Sequence, residues 1–162
     1  MTATSERIAA LEERVGRLED ELAIHRLMVR YGMAADTGDA DRTAAIFSED
    51  GVYDVDGVPP MEGRRGVREM VLGPRHQALV PNCAHTVGPL AVELDGDHAI
   101  AVGYSRTYTK AGEEIGLMRV AANRIDLVRS DGRWGIARRT NRMIGTEEAS
   151  NLFRDALIAL NG

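Results

Sequence analysis

The chain has 162 residues, of which 44% are hydrophobic and 4% aromatic, so a single domain with a largely aliphatic core is expected. Its net charge of −5 disfavours nucleic acid as a partner. The lone Cys83 excludes an internal disulfide and a multi-cysteine metal centre, and no run approaches the ~18 apolar residues of a membrane span. The opening MTATSERIAALEERV alternates acids and bases around no apolar signal core, which points to a cytoplasmic protein.

A helix is expected over 5–36. Ile8, Leu11, Val15, Leu18 and Leu22 recur at steps of three and four, flanked by Glu13, Arg14, Arg17, Glu19 and Asp20. This two-to-three heptad seam suits packing on the chain's own domain or contact with another copy. Residues 1–20 thus read as a helical extension of one domain, 1–162. From Ile24 the apolar positions broaden through Leu27, Met28, Tyr31, Ala34 and Ala35, as in a helix entering a core. Thr37-Gly38 stops it. Asp39 caps a second helix, with Asp41 in its first turn, that runs through Ala44, Ala45, Ile46 and Phe47 until SEDG breaks it. Val52 to Asp56 alternates as a short strand. A turn at GVPP leads to a third helix near 65–72, carrying Val67, Met70 and Val71, and then to the loop GPRHQALVP.

The second half reads as sheet. Strands over 83–94, His98 to Thr109, Ile115 to Val128 and Arg133 to Met143 are joined by turns at DGD, KAGEE and SDG. TEEASNLFRDALIAL closes the chain as a short helix. Helices, a strand, a helix and an antiparallel meander make an α+β domain.

Two residues stand out for chemistry. Asp36 ends a helix, the unfavourable side of the macrodipole for an acid, and so invites a cationic partner. His85 opens a strand between Ala84 and Val87, where a core histidine or a catalytic one would fit. A carboxylate behind an imidazole makes a general base. Of the other histidines, His25 lies beside the apolar seam as a structural residue, His76 reads as solvated or at a pocket rim, and His98 as exposed. Tyr31 and Tyr53 are core tyrosines or hydroxyl donors; Tyr31 sits about 140° around the helix from Asp36, so the two would border a pocket from different sides. Phe47, Asn123, Tyr104 and Arg138 complete the candidate substrate contacts. Asn123 is polar on the strand face of Arg119 and Ala121, and Tyr104 shares a face with Val102, Arg106 and Tyr108. Arg133, Arg138, Arg139 and Arg142 form a basic cluster, either a solvated strand surface or a reader of a carboxylate or phosphate. No metal is expected, because the acids around Asp50, Asp54 and Asp56 lack a calcium-loop pattern. No nucleophile elbow and no GxGxxG appears, and no cofactor is expected.

From about Glu21 to Gly145 the chain resembles the NTF2-like, or SnoaL-like, family of cone-shaped α+β barrels. The resemblance rests on AIHRLMVRYGMAADTGDADRTAAIFSEDGVYDVDG, HTVGPLAVELDGDHAIA and SDGRWGIARR. It implies a curved antiparallel sheet packed on three helices, here with an extended N-terminal helix. Within the family the chain is similar to scytalone dehydratase, bile-acid 7α-dehydratase and hexachlorocyclohexane dehydrochlorinase. In the last two, an aspartate ending the first long helix pairs with a histidine opening the sheet, and those positions fall on Asp36 and His85. The tyrosine that precedes the aspartate in the bile-acid enzyme falls on Tyr31. Its mid-sheet carboxylate has no counterpart in Tyr104-Ser105-Arg106-Thr107-Tyr108, a departure that argues against a bile-acid-type substrate. The resemblance implies a cofactor-independent lyase of dehydratase type, acting on a small apolar oxygenated molecule with an Asp36–His85 base and Tyr31 assisting. Isomerisation or cyclisation of a polyketide or steroid-like substrate is the alternative, and a non-catalytic binding or assembly module the third. The implied partners are a small-molecule substrate and further copies of the chain, a trimer first and a dimer second.

Overall fold

Helix α1 (Ala3–Asp36) changes character along its length. The computed structural model describes residues 3–160; Met1, Thr2, Asn161 and Gly162 of the expected 1–162 domain lie outside them. The first half of α1 is solvent-exposed. Asp20 marks the point where the helix meets the sheet, accepting hydrogen bonds from Trp134 Nε1 at 2.9 Å and Arg129 Nη1 at 2.8 Å. From there Ile24, Leu27, Met28, Tyr31, Ala34 and Ala35 are buried, the one-sided stripe that the spacing predicts. Gly38, at φ 66°, turns the chain away, and the amide of Asp39 closes back on the Ala34 carbonyl at 2.9 Å.

Helix α2 (Ala40–Ala45) is capped by Asp39, which accepts from the Arg42 amide at 2.9 Å. It ends earlier than the sequence pattern suggests, because Phe47 belongs to strand β1 (Phe47–Val55). The segment SEDG is a bulge inside that strand. Phe47 pairs with Ile136 and Val52 with Arg138, so the intervening residues loop out. A Cβ on Gly51 would come 2.4 Å from the Ile136 carbonyl oxygen, so glycine lets the bulge close. Strand β2 (Met61–Glu62), helix α3 (Gly63–Leu72) and a one-turn helix α4 (Pro74–Gln77) follow. Both α4, inside the expected loop GPRHQALVP, and β2 are too short to leave a periodic signal.

Strands β3 (Cys83–Asp95), β4 (His98–Ala111), β5 (Glu114–Ser130) and β6 (Arg133–Met143) form the expected meander, and α5 (Glu147–Leu160) closes the fold. The sheet order is β2-β1-β6-β5-β4-β3. All neighbours run antiparallel except β1 and β6, which are parallel, a departure from a purely antiparallel sheet. On one face Phe47, Ile125, Leu127 and Ile136 pack with Ile24 and Leu27 of α1 and Val67 of α3. On the other, Ile100, Val102 and Ala122 receive Ala149, Leu152, Phe153 and Ala156 of α5. Among the described residues no helix is long and apolar enough to cross a membrane.

Candidate active site

The site forms where α1 ends against the start of β3. Contact is main chain to main chain: a Cβ on Gly32 would lie 2.3 Å from the His85 carbonyl oxygen. Only glycine lets the helix approach so closely. One turn later Asp36 grips the same residue twice. Its Oδ1 lies 2.6 Å from His85 Nδ1, and its two oxygens accept from the His85 amide at 2.9 and 3.1 Å. The Cys83 thiol also points at Oδ1, at 3.8 Å. With a carboxylate at Nδ1, that nitrogen carries the proton and donates it, so the Nε2 lone pair is free. Burial holds the His85 pKa below the ordinary 6.5; Asp36 pulls upward, and His76 and Arg139 add to the lowering. His85 is thus a neutral imidazole at neutral pH, oriented by an acid behind it.

His85 lines a cavity of about 660 Å³ whose walls include Val55, Pro59, Met61, Met70, Leu79 and Met118. A larger groove of about 1320 Å³ runs between α1 and the β5–β6 turn, lined by Leu27, Arg30 and Trp134, but neither member of the dyad reaches it. Tyr31 and Tyr53 both line the smaller cavity. Burial, then the neighbouring Tyr53, push the Tyr31 pKa well above the usual phenol range, against a smaller opposing pull from Arg139. Tyr31 therefore remains a neutral hydroxyl donor. The 140° between Tyr31 and Asp36 resolves simply: Tyr31 faces the cavity, and Asp36 stands behind the base.

The remaining candidates separate by strand face. Asn123 is fully buried and does not line the cavity; its Oδ1 accepts from Arg139 Nε at 2.9 Å. Phe47 is also fully buried and stays outside the cavity, supporting the tyrosine rings at 6.4 Å (Tyr31) and 6.2 Å (Tyr53) between centroids. Tyr104 is not a cavity residue: it is 44% exposed on the opposite sheet face, 4.9 Å from Phe153 of α5. Arg138 likewise points outward, to Asp54 at 2.7 Å. Side chains alternate along a strand, so the inward residue of the basic cluster is its neighbour Arg139.

Arg139 is only 2% exposed and lines the cavity. Its guanidinium carbon sits 4.5 Å from the Tyr31 ring centroid and 5.0 Å from that of Tyr53. His76 is the second residue the sequence understated. It lines the cavity but is buried, stacked on His85 at 5.8 Å, with Nε2 2.8 Å from the Ala35 carbonyl oxygen. That carbonyl lies in the last turn of α1, where backbone acceptors need outside donors. Asp36, Cys83 and His85 place one donor atom each within 4.8 Å of one another. Burial and the adjacent Asp36 push the Cys83 pKa up to about 11, so the thiol keeps its proton and points it at Asp36 Oδ1.

Residues 16–140 match the SnoaL-like domain, and the chain belongs to that family. An NTF2-like protein with a cystatin-like fold from Novosphingobium aromaticivorans superposes with a TM-score of 0.84 at 36% identity, over 88% of this chain and 94% of that one. A protein from the same organism, provisionally named an aromatic ring hydroxylase, matches with a TM-score of 0.62 at 27% identity, over 80% and 92% of the two chains. Another, provisionally named a scytalone dehydratase, shares the fold with a TM-score of 0.68 at 19% identity, over 78% and 85%. No curated protein matches the chain.

Proposed function

We propose that the protein is a cofactor-independent lyase that eliminates water, or a comparable leaving group, from a small apolar oxygenated molecule. The observation that carries this reading is the 2.6 Å contact between Asp36 and a His85 that lines a largely apolar cavity. His85 Nε2 takes a proton from carbon, and the C–H electron pair becomes the new double bond. The hydroxyl on the neighbouring carbon leaves with its bonding pair and receives the proton from the imidazolium, departing as water. Asp36 holds the ring and stabilises its charged form. Tyr31, a neutral donor, hydrogen-bonds the developing negative oxygen. A positioned base of this kind contributes ~10²–10⁴-fold, with orientation and electrostatics supplying the remainder. The SnoaL-like family contains dehydratases as well as cyclases and isomerases, in keeping with this first step.

Isomerisation or cyclisation begins with the same proton abstraction and keeps every atom of the substrate. Purified protein incubated with a panel of β-hydroxy carbonyl compounds, followed by mass spectrometry, separates the two: the lyase yields a product lighter by one water. Full turnover by His85→Ala and Asp36→Asn would end both versions.

A further inference from the structure

We infer that the substrate carries a carboxylate, seated on Arg139 and Arg119 in the cavity that His85 lines. This rests on the cavity being the active site and deepens that reading. A donor and acceptor count over one buried network leads to it. Arg139 Nε donates to Asn123 Oδ1 at 2.9 Å, and Asn141 Nδ2 donates to the same oxygen at 3.1 Å. Arg119 Nη2 donates to Asn141 Oδ1 at 2.8 Å and to Asp56 Oδ2 at 3.0 Å. Ser105 Oγ accepts from Asn123 Nδ2 at 2.7 Å and from Asn141 Nδ2 at 3.1 Å. Both lone pairs of Ser105 are then engaged, and its own proton is still to be given, beside the cavity that the residue lines. Arg139 Nη1 and Arg119 Nε are buried with no partner. Three donor atoms of the network, Ser105 Oγ, Arg139 Nη1 and Arg119 Nε, therefore still hold protons to give.

Charge points the same way. Arg119 has Asp56, but Arg139 makes no ion pair among the described residues; against it lie the faces of Tyr31 and Tyr53 and the Tyr31 hydroxyl, all of them neutral. Asp36 is turned to His85. At the exposed mouth Glu69 lies 3.9 Å from Arg65, Glu62 and Arg75 also line the cavity, and Arg106, which lines it too, donates to the Gly88 carbonyl, so no surplus acid answers Arg139. A buried guanidinium without an anion is costly, and a planar carboxylate bonded to its fork removes that cost.

Isothermal titration tests this without turnover. Benzoate, phenylacetate and naphthoate are compared with their primary amides, which match them in shape and lack the charge. At least one acid binds about tenfold or more tightly than its amide. His85→Ala keeps that preference, so a failure of the catalytic reading is separable from a failure of this one. Arg139→Gln abolishes it, and Arg119→Gln weakens it in a protein whose remaining network is intact. Equal binding of every acid and its amide, or a preference that survives in each arginine variant that folds, overturns the proposal.

A separate observation concerns the exposed half of α1. Ile8, Leu11, Val15, Leu18, Leu22 and Val29 are each 47–65% exposed, along the face away from the buried stripe. They occupy a and d positions of one heptad frame, with Ile8 and Val15 at a and Leu11 and Leu18 at d, the choice that favours two parallel strands. In that frame the flanking g and e′ partners are Arg7 and Glu12, Arg14 and Glu19, Glu21 and Arg26, opposite in charge each time. We propose that α1 pairs in parallel with α1 of a second copy. Sedimentation equilibrium of the full chain gives a dimer, and Leu18→Asp, at an exposed position, gives a monomer. Arg14→Glu weakens association and adding Glu19→Arg restores it. A monomeric or trimeric wild type, a dimer unaffected by Leu18→Asp, or a charge swap that does not restore overturns the pairing.

Discussion

Arg138 and Arg139 are neighbours in sequence and opposites in situation. Arg138 faces outward, half-exposed, and shares Asp54 with Arg142 at 2.7 and 2.9 Å. Arg139 faces inward, buried, with one nitrogen unpartnered. The outer face of this sheet closes its electrostatics within the chain, while the inner face leaves donors open. The two faces thus differ less in residue type than in whether their polar groups are already engaged.

Breaking the inner face should show in chemistry. His85→Ala or Asp36→Asn should lower turnover ~10²–10⁴-fold, measured as initial rates on the true substrate, with thermal unfolding close to wild type. Gly32→Ala should damage both properties. Its methyl group cannot share space with the His85 carbonyl, so α1 must retreat from β3, costing about 1–3 kcal/mol in urea unfolding and the register of the dyad. Breaking the outer face should show in stability alone. Asp54→Asn leaves Arg138 without its acid and Arg142 with Asp56 at 3.6 Å, and should cost no more than about 1 kcal/mol, because all three groups touch solvent, with kcat unchanged.

The smallest effect is in pH. The folded His85 pKa lies below the 6.5 of the unfolded chain, so the unfolded state takes up the proton first as pH falls. Stability should decline as pH drops from 6.5 toward the folded value, and kcat/KM should fall on a limb below 6.5. His85→Ala should remove that part of the stability profile. On the outer face Asp54 is held below its ordinary 3.8, chiefly by its hydrogen bond from Arg142, so its contribution persists to more acid pH and is lost only through that depressed value.

Much of the fold was legible because the signals were periodic. The stripe from Ile24 to Ala35 and the three hairpin turns place α1 and the meander within a few residues of their observed bounds. Phe47 was misplaced into a helix because a bulged strand loses its alternation at SEDG, and the partner that makes it a strand, Ile136, lies far away in sequence. At the site, the contact between Asp36 and His85 was legible from an acid at the wrong helix end, a histidine among small residues and the family resemblance, although the partner is a neutral imidazole where the helix end suggested a cation. Arg139 was not, because choosing between it and Arg138 requires the strand's phase relative to the core, and one residue of slip exchanges the faces. Applying the same alternation from Tyr53, its partner across β1 and β6, would have found it. His76 gave no local signal at all; its burial depends on the Ala35 carbonyl from another element.

The Gly32 contact has an evolutionary consequence. His85 is fastened to the helix through main-chain atoms and one carboxylate and stacks on His76, so its aim does not rest on the apolar side chains of the cavity wall. Val55, Met61, Met70 and Met118 can be exchanged for larger or smaller residues while the dyad keeps its register. On the proposed function, reactivity and selectivity would be held by different parts of the molecule, so a library confined to those wall positions should alter substrate range while Asp36 and His85 stay assembled.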